Sequence, residues 1–87
     1  MNVDIITPDE NLFTGEASSI IAPGSDGSLG ILDNHAPLIS SLKEGEITLT
    51  TSEGEKSFNV KGGVIEVLNN KVIISSVIIL IFFPFYL

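Results

Sequence analysis

Cysteine, tryptophan and arginine are missing from these 87 residues, and histidine and tyrosine occur once each. The lack of cysteine excludes disulfide staples, iron–sulfur clusters and thiolate zinc sites together. The lack of arginine leaves Lys43, Lys56, Lys61 and Lys71 as the only cationic side chains. Set against eleven acids, they give a formal charge of −7, the wrong sign for a protein that grips a phosphate backbone. Nucleic acid is therefore not an expected partner. The acidity either serves solubility or steers the chain toward a basic surface. No basic stretch precedes an apolar run at the start, so residues 1–8 do not read as a secretory signal. No apolar run reaches the roughly 20 residues that a membrane helix needs; residues 72–87 come nearest, with sixteen uncharged positions.

A helical period of useful length is also lacking, and alternation takes its place. Val3 and Ile5 stand between polar neighbours, as do Ile47 and Leu49, and Phe58 and Val60. Each set predicts a strand with one wet face. Residues 19–22, 29–32, 64–68 and 72–75 add short β-rich segments bounded by turn residues. Residues 36–43 read as extended, because Pro37 and two serines oppose a helix. Pro23-Gly24 and Asp26-Gly27 mark a turn cluster, Ser52-Glu53-Gly54 a hairpin loop, and Asn69-Asn70 a two-residue turn in which asparagine supplies the positive φ. The pattern predicts an all-β fold, a small β-sandwich or flattened barrel of two packed sheets with about ten short strands. A chain of this length holds one core, so residues 1–76 are expected to form a single domain followed by an atypical apolar tail, 77–87, that is not a transmembrane span.

Reactive chemistry has little to work with. His35 alone has an unperturbed pKa near neutrality. Ser25, Asp26 and His35 do not make a nucleophile elbow, and Asp33 with His35 is at most half a metal site. Gly24, Gly27 and Gly30 are followed by neither the lysine nor the opening helix of a phosphate loop, so turn geometry accounts for them. Gly62-Gly63, within β-like sequence, predicts a bulge or a place where another backbone comes close. No catalytic residue, cofactor or metal is expected.

The run Ala22-Pro23-Gly24-Ser25-Asp26-Gly27-Ser28-Leu29-Gly30-Ile31-Leu32-Asp33-Asn34-His35-Ala36-Pro37-Leu38 resembles the signature of the epsilon subunit of F-type ATP synthases, continued by Leu42, Lys43 and Gly45. Ile6-Thr7-Pro8, then Leu12-Phe13-Thr14-Gly15-Glu16, resembles that family's opening, and Val60-Lys61-Gly62-Gly63-Val64-Ile65-Glu66-Val67 its S-G-G-x-x-E-V strand pair. The likeness covers nearly all of residues 3–75. Asp33-Asn34 departs from the family's proline-glycine before His35 but retains turn chemistry.

The resemblance implies the family's N-terminal β-sandwich domain, in a short form without the C-terminal helical pair. It also implies a non-catalytic rotor subunit that links gamma to the c ring of a proton-translocating synthase and so couples rotation to ATP synthesis. The subunit would sit peripherally at the cytoplasmic face of a bacterial inner membrane, or the equivalent organelle face, touching the membrane only through the complex. Carried over by similarity, Asp26, Gly27, Ser28, Leu29, Asp33, Asn34 and His35 are candidates for the c ring, and Gly62 and Gly63 for gamma. Neither small-molecule binding nor inhibition by an extending arm is expected. The alternative is an acidic β-sandwich protein-binding module unrelated to the synthase. Residues 77–87 match nothing in that family; they leave open a docked strand, a membrane or partner contact, or an aberrant end.

Overall fold

The computed structural model describes residues 1–76, and the expectations for 77–87 fall outside the described residues. The strands are β1 (Asn2–Ile6), β2 (Asn11–Glu16), β3 (Ser19–Gly24), β4 (Gly27–Leu32), β5 (Leu38–Leu42), β6 (Gly45–Thr51), β7 (Gly54–Val60), β8 (Gly63–Leu68) and β9 (Lys71–Ser76). Among the described residues nine strands stand where about ten were expected, and the all-β class holds.

Five strands, in the order β2-β1-β9-β8-β5, form one layer, and β4-β3-β6-β7 form the other. The layers belong to one curled sheet rather than two separate ones. β3 pairs with β6 through Ser19, Ile20 and Ile21, then crosses to β5 through the single pair Gly24 with Leu42. Alternation decides what lies between the layers. Val3, Ile5, Ile65, Val67, Val72 and Ile74 point inward from the first, and Ile20, Ala22, Ile31, Ile47 and Leu49 from the second. Burial of this set is the main term holding so small a domain together. Phe13 on β2 meets Phe58 on β7 with ring centroids 5.9 Å apart and planes tilted by 59°, a favourable edge-on geometry that closes the layers along one side.

The turns follow local chemistry. Asn69 and Asn70 have φ of 51° and 61°, the left-handed pair of a two-residue hairpin between β8 and β9. Pro23 and Gly24 differ from expectation, because they lie inside β3 and the β3–β4 turn is Ser25-Asp26. Proline is tolerated there because it sits where the neighbour of β3 changes from β6 to β5, and its carbonyl still accepts from Lys43 N–H at 2.9 Å. At Gly63, φ is 142° and an added Cβ would collide with the carbonyl oxygen of Ser75 and lie 3.0 Å from Ser76 Cα. The close backbone approach expected at Gly62-Gly63 is thus made by the chain's own β9.

Candidate functional site

β4 pairs only with β3, so its other edge is free among the described residues. Gly27, Ser28, Gly30 and Leu32 along it are exposed, Leu29 is half-buried against the core, and Ile31 anchors the strand inside. The residues singled out from sequence therefore form a free strand with a turn at each end, not one compact loop. Asp26 stands at one tip and Asp33 at the other. Six strand residues separate them, about 20 Å of extended backbone.

The two ends differ in charge. Asp26, in the Ser25-Asp26 turn, is exposed and makes no ion pair among the described residues. Its turn is braced by Ser25 Oγ, 2.8 Å from Ser41 Oγ, and by Ser25 N–H donating to Ser41 O at 3.0 Å. Lys61 and Glu44, paired at 3.3 Å, lie at this same end of the sandwich. A side chain free in water costs little to recruit into a contact and contributes little until it is desolvated.

Asp33 is committed within the chain. Its Oδ1 accepts from the Met1 α-ammonium at 2.6 Å, and that nitrogen also donates to Ala17 O at 3.0 Å and lies 3.4 Å from Glu16 Oε1. The hydrogen bond to Asp33 raises the Met1 α-amino pKa above its ordinary 8.0; burial opposes the shift, and the Asp33 and Glu16 charges reinforce it. Asn34, with φ of 63°, supplies the left-handed turn residue, and its N–H donates to Asn70 Oδ1 at 2.8 Å. His35 N–H donates to Leu32 O at 3.2 Å, and its Nδ1 lies 2.7 Å from Ala36 O. His35 is thus engaged with its own backbone, while Ser25 bonds Ser41 about a strand's length away. These residues do not form a reactive constellation.

Gly62 and Gly63 lie at the Asp26 end, in the bend from β7 to β8, both with φ near 140°. What sequence reading missed is the role of Met1 and Glu16. Only folding brings them to Asp33, across thirty-two and seventeen positions of chain. The alternation in β1 and β2 signalled the strands but not this contact.

Residues 1–79 match the family described as the ATP synthase, delta/epsilon chain, beta-sandwich domain. The ATP synthase epsilon chain of Chlorobium limicola is 47% identical over 73 residues, which are 83% of each chain. That of Chlorobaculum tepidum is 44% identical over 73 residues, again 83% of each. That of Dichelobacter nodosus is 51% identical over 73 residues, but this chain spans only 51% of it. Among solved structures, a chain in the Euglena gracilis mitochondrial ATP synthase, an OSCP/F1/c-ring assembly, superposes with a TM-score of 0.79 at 21% identity, over 85% of this chain and 48% of that one. One in the central stalk/c-ring of the Tetrahymena thermophila enzyme gives 0.73 at 21% identity, over 86% and 61%. At that identity the structural likeness speaks for the fold alone.

Proposed function

The chain belongs to the ATP synthase delta/epsilon β-sandwich family, with the function of an epsilon chain, and on that premise we propose that it is a non-catalytic rotor component joining gamma to the c ring. The observation that carries this reading is the free edge of β4: an exposed strand with an acid at each tip and no reactive group beside it. An unrelated binding module does not account for 47% identity to an epsilon chain over 83% of both sequences.

A coupling element has to pass force without deforming, and two interdigitated layers packed at crystal-like density do so. Asp26, Gly27, Ser28 and Leu29 at one tip of the edge, and Asp33, Asn34 and His35 at the other, meet the c ring. Asp26 is free to pair with a basic side chain there, whereas Asp33 is already partly neutralised by Met1. Gly62 and Gly63 lie in the bend that faces gamma. The assembly lies against the cytoplasmic face of the membrane, or the equivalent organelle face, with this chain held there through its partners. The test is co-purification. A tagged full chain expressed with its synthase should bring down both gamma and c-ring subunits; recovery of the folded chain without them overturns the reading.

A further inference from the structure

Among the described residues three strands pair with one neighbour only: β2 with β1, β7 with β6 and β4 with β3. An open edge invites a further strand, and proteins ordinarily guard it with charge, proline or a bulge. β2 ends on Glu16 and its register with β1 shifts between Ile5 and Ile6, while β7 carries Glu55 and Lys56. β4 has none of these guards. From Gly27 to Leu32 it holds neither charge nor proline, and its register with β3 runs without a shift from Gly27 to Leu32.

Register also fixes which main-chain groups face out. Along an antiparallel pair, successive residues turn their N–H and C=O alternately toward and away from the neighbouring strand. Pro23 O accepts from Lys43 N–H at 2.9 Å, so residue 23 faces away from β4, and its register partner Ser28 faces away from β3. Gly30 and Leu32 follow at steps of two residues, about 7 Å each. Leu32 O is taken by His35 N–H. The N–H and C=O of Ser28 and Gly30, with the Leu32 N–H, therefore form a row of open donors and acceptors at strand spacing. Beside this row, Ile21 at 54% and Leu32 at 65% are exposed on the outer face. Gly30, the register partner of Ile21, has no side chain to cover them. Half-buried Leu29 flanks the row on the inner face.

We propose that the β4 edge is a strand-addition site. It binds an extended segment of a partner protein, antiparallel to β4, with apolar side chains over Ile21 and Leu32 and a lysine or arginine at its C-terminal end against Asp26. Main-chain pairing supplies the affinity and the side chains the selectivity. Charge fixes the direction: Asp26 makes no ion pair among the described residues, whereas Asp33 at the other tip is held by the Met1 ammonium. A second copy is a poor occupant, because antiparallel pairing of β4 with β4 lays the Asp26 end against the Asp33 end and sets −7 against −7. A lipid surface offers the open main-chain groups nothing to bond. The inference goes beyond the rotor reading, since it states the form of segment that the edge accepts, whichever subunit supplies it.

The test titrates the isolated full chain with an end-blocked peptide of alternating valine and threonine that finishes in two lysines, followed by amide NMR. The Ser28, Gly30 and Leu32 amides should shift and exchange more slowly with solvent. Gly30→Pro removes an outward N–H without breaking a bond to β3, a place where an edge strand admits proline, and should weaken binding about tenfold. Gly30→Ala keeps the N–H and should bind as wild type. Circular dichroism verifies both folds, and a peptide N-methylated along its alternating stretch, which leaves the chain unaltered, tests the same bonds and should also bind about tenfold more weakly. Asp26→Asn should cost the lysine peptide about threefold and a peptide ending in serines nothing. The proposal is overturned if these amides do not respond, if Gly30→Pro and the N-methylated peptide bind undiminished, or if peptides ending in lysine and in glutamate bind equally. A dimer of the free chain that Gly30→Pro dissociates assigns the edge to a second copy and overturns it too. These outcomes do not depend on whether c-ring subunits co-purify with the chain, so failure here is distinct from failure of the rotor reading.

Discussion

Replacing Asp33 with asparagine keeps the shape of the turn and removes the charge that the Met1 ammonium sits against. The ammonium is 2.6 Å from Asp33 Oδ1, with Glu16 Oε1 farther off at 3.4 Å. Two limits bracket the loss. A buried hydrogen bond to a charged group contributes about 1.5–3 kcal/mol, and a solvated ion pair about 0–1 kcal/mol. The Met1 side chain is 1% exposed but that of Asp33 is 53% exposed, so water screens one partner and the expected cost is about 1 kcal/mol. For a domain of this size that lowers Tm by about 4–8 °C.

The pH dependence has a definite sign. The folded α-amino pKa lies above its unfolded 8.0, so the folded state holds the proton more tightly; its stabilisation is complete below 8.0 and is lost as pH rises through the folded value. Thermal melts followed by circular dichroism, from about pH 7 to pH 9.5, should show wild-type Tm falling through the alkaline half while Asp33→Asn starts lower and falls less. Asn34 still donates to Asn70 in the variant, so the turn keeps a brace. Superimposable melts with equal alkaline slopes would refute the latch.

Three further perturbations separate the packing terms from the contact terms. Gly63→Ala, at φ 142° with its Cβ driven into β9, should cost more than about 3 kcal/mol, whereas Gly30→Ala, with nothing within 4 Å of its Cβ, leaves the denaturation midpoint almost unmoved. Ile65→Ala removes a fully buried side chain from the centre of β8 and should lower unfolding free energy by about 2–5 kcal/mol in urea titrations, with little change in slope. Asp26→Lys reverses the edge acid that makes no ion pair among the described residues. It should leave Tm within about 2 °C of wild type and weaken recovery of c-ring subunits in pull-downs, and equal recovery would remove Asp26 from the interface.

Most of the fold was legible because its signals are local. Alternation in residues 2–6 and 45–51 marks which side chains face inward, and Asn69-Asn70 announces a hairpin because asparagine enters the left-handed backbone region more readily than most residues with a side chain. Partner choice is not local. A period of two says which face is wet but not which strand lies alongside, so the parallel pairing of β1 with β9, from Asn2 with Lys71 to Ile6 with Ser75, left no mark in the sequence. Pro23-Gly24 misled for a related reason. The pair usually reads as a turn, but it marks here the point where β3 changes neighbours. The candidate edge was legible as a set of residues and not as a shape, since nothing in the run from Asp26 to His35 shows that a strand holds its acids about 20 Å apart. The commitment of Asp33 to Met1 depends on a contact that exists only once β1 lies beside β2 and β9.

The proposed contact with the c ring is made by the free edge of β4. With the chain assembled in its synthase, single cysteines at Ser28 and His35, each carrying a short photocrosslinker, address that edge directly, and a cysteine at exposed Thr14 on β2, an edge strand of the other layer, serves as control. Crosslinks from Ser28 and His35 to c-ring subunits, absent from Thr14, are the predicted result. Crosslinks to the c ring from Thr14 and none from the β4 edge would contradict it.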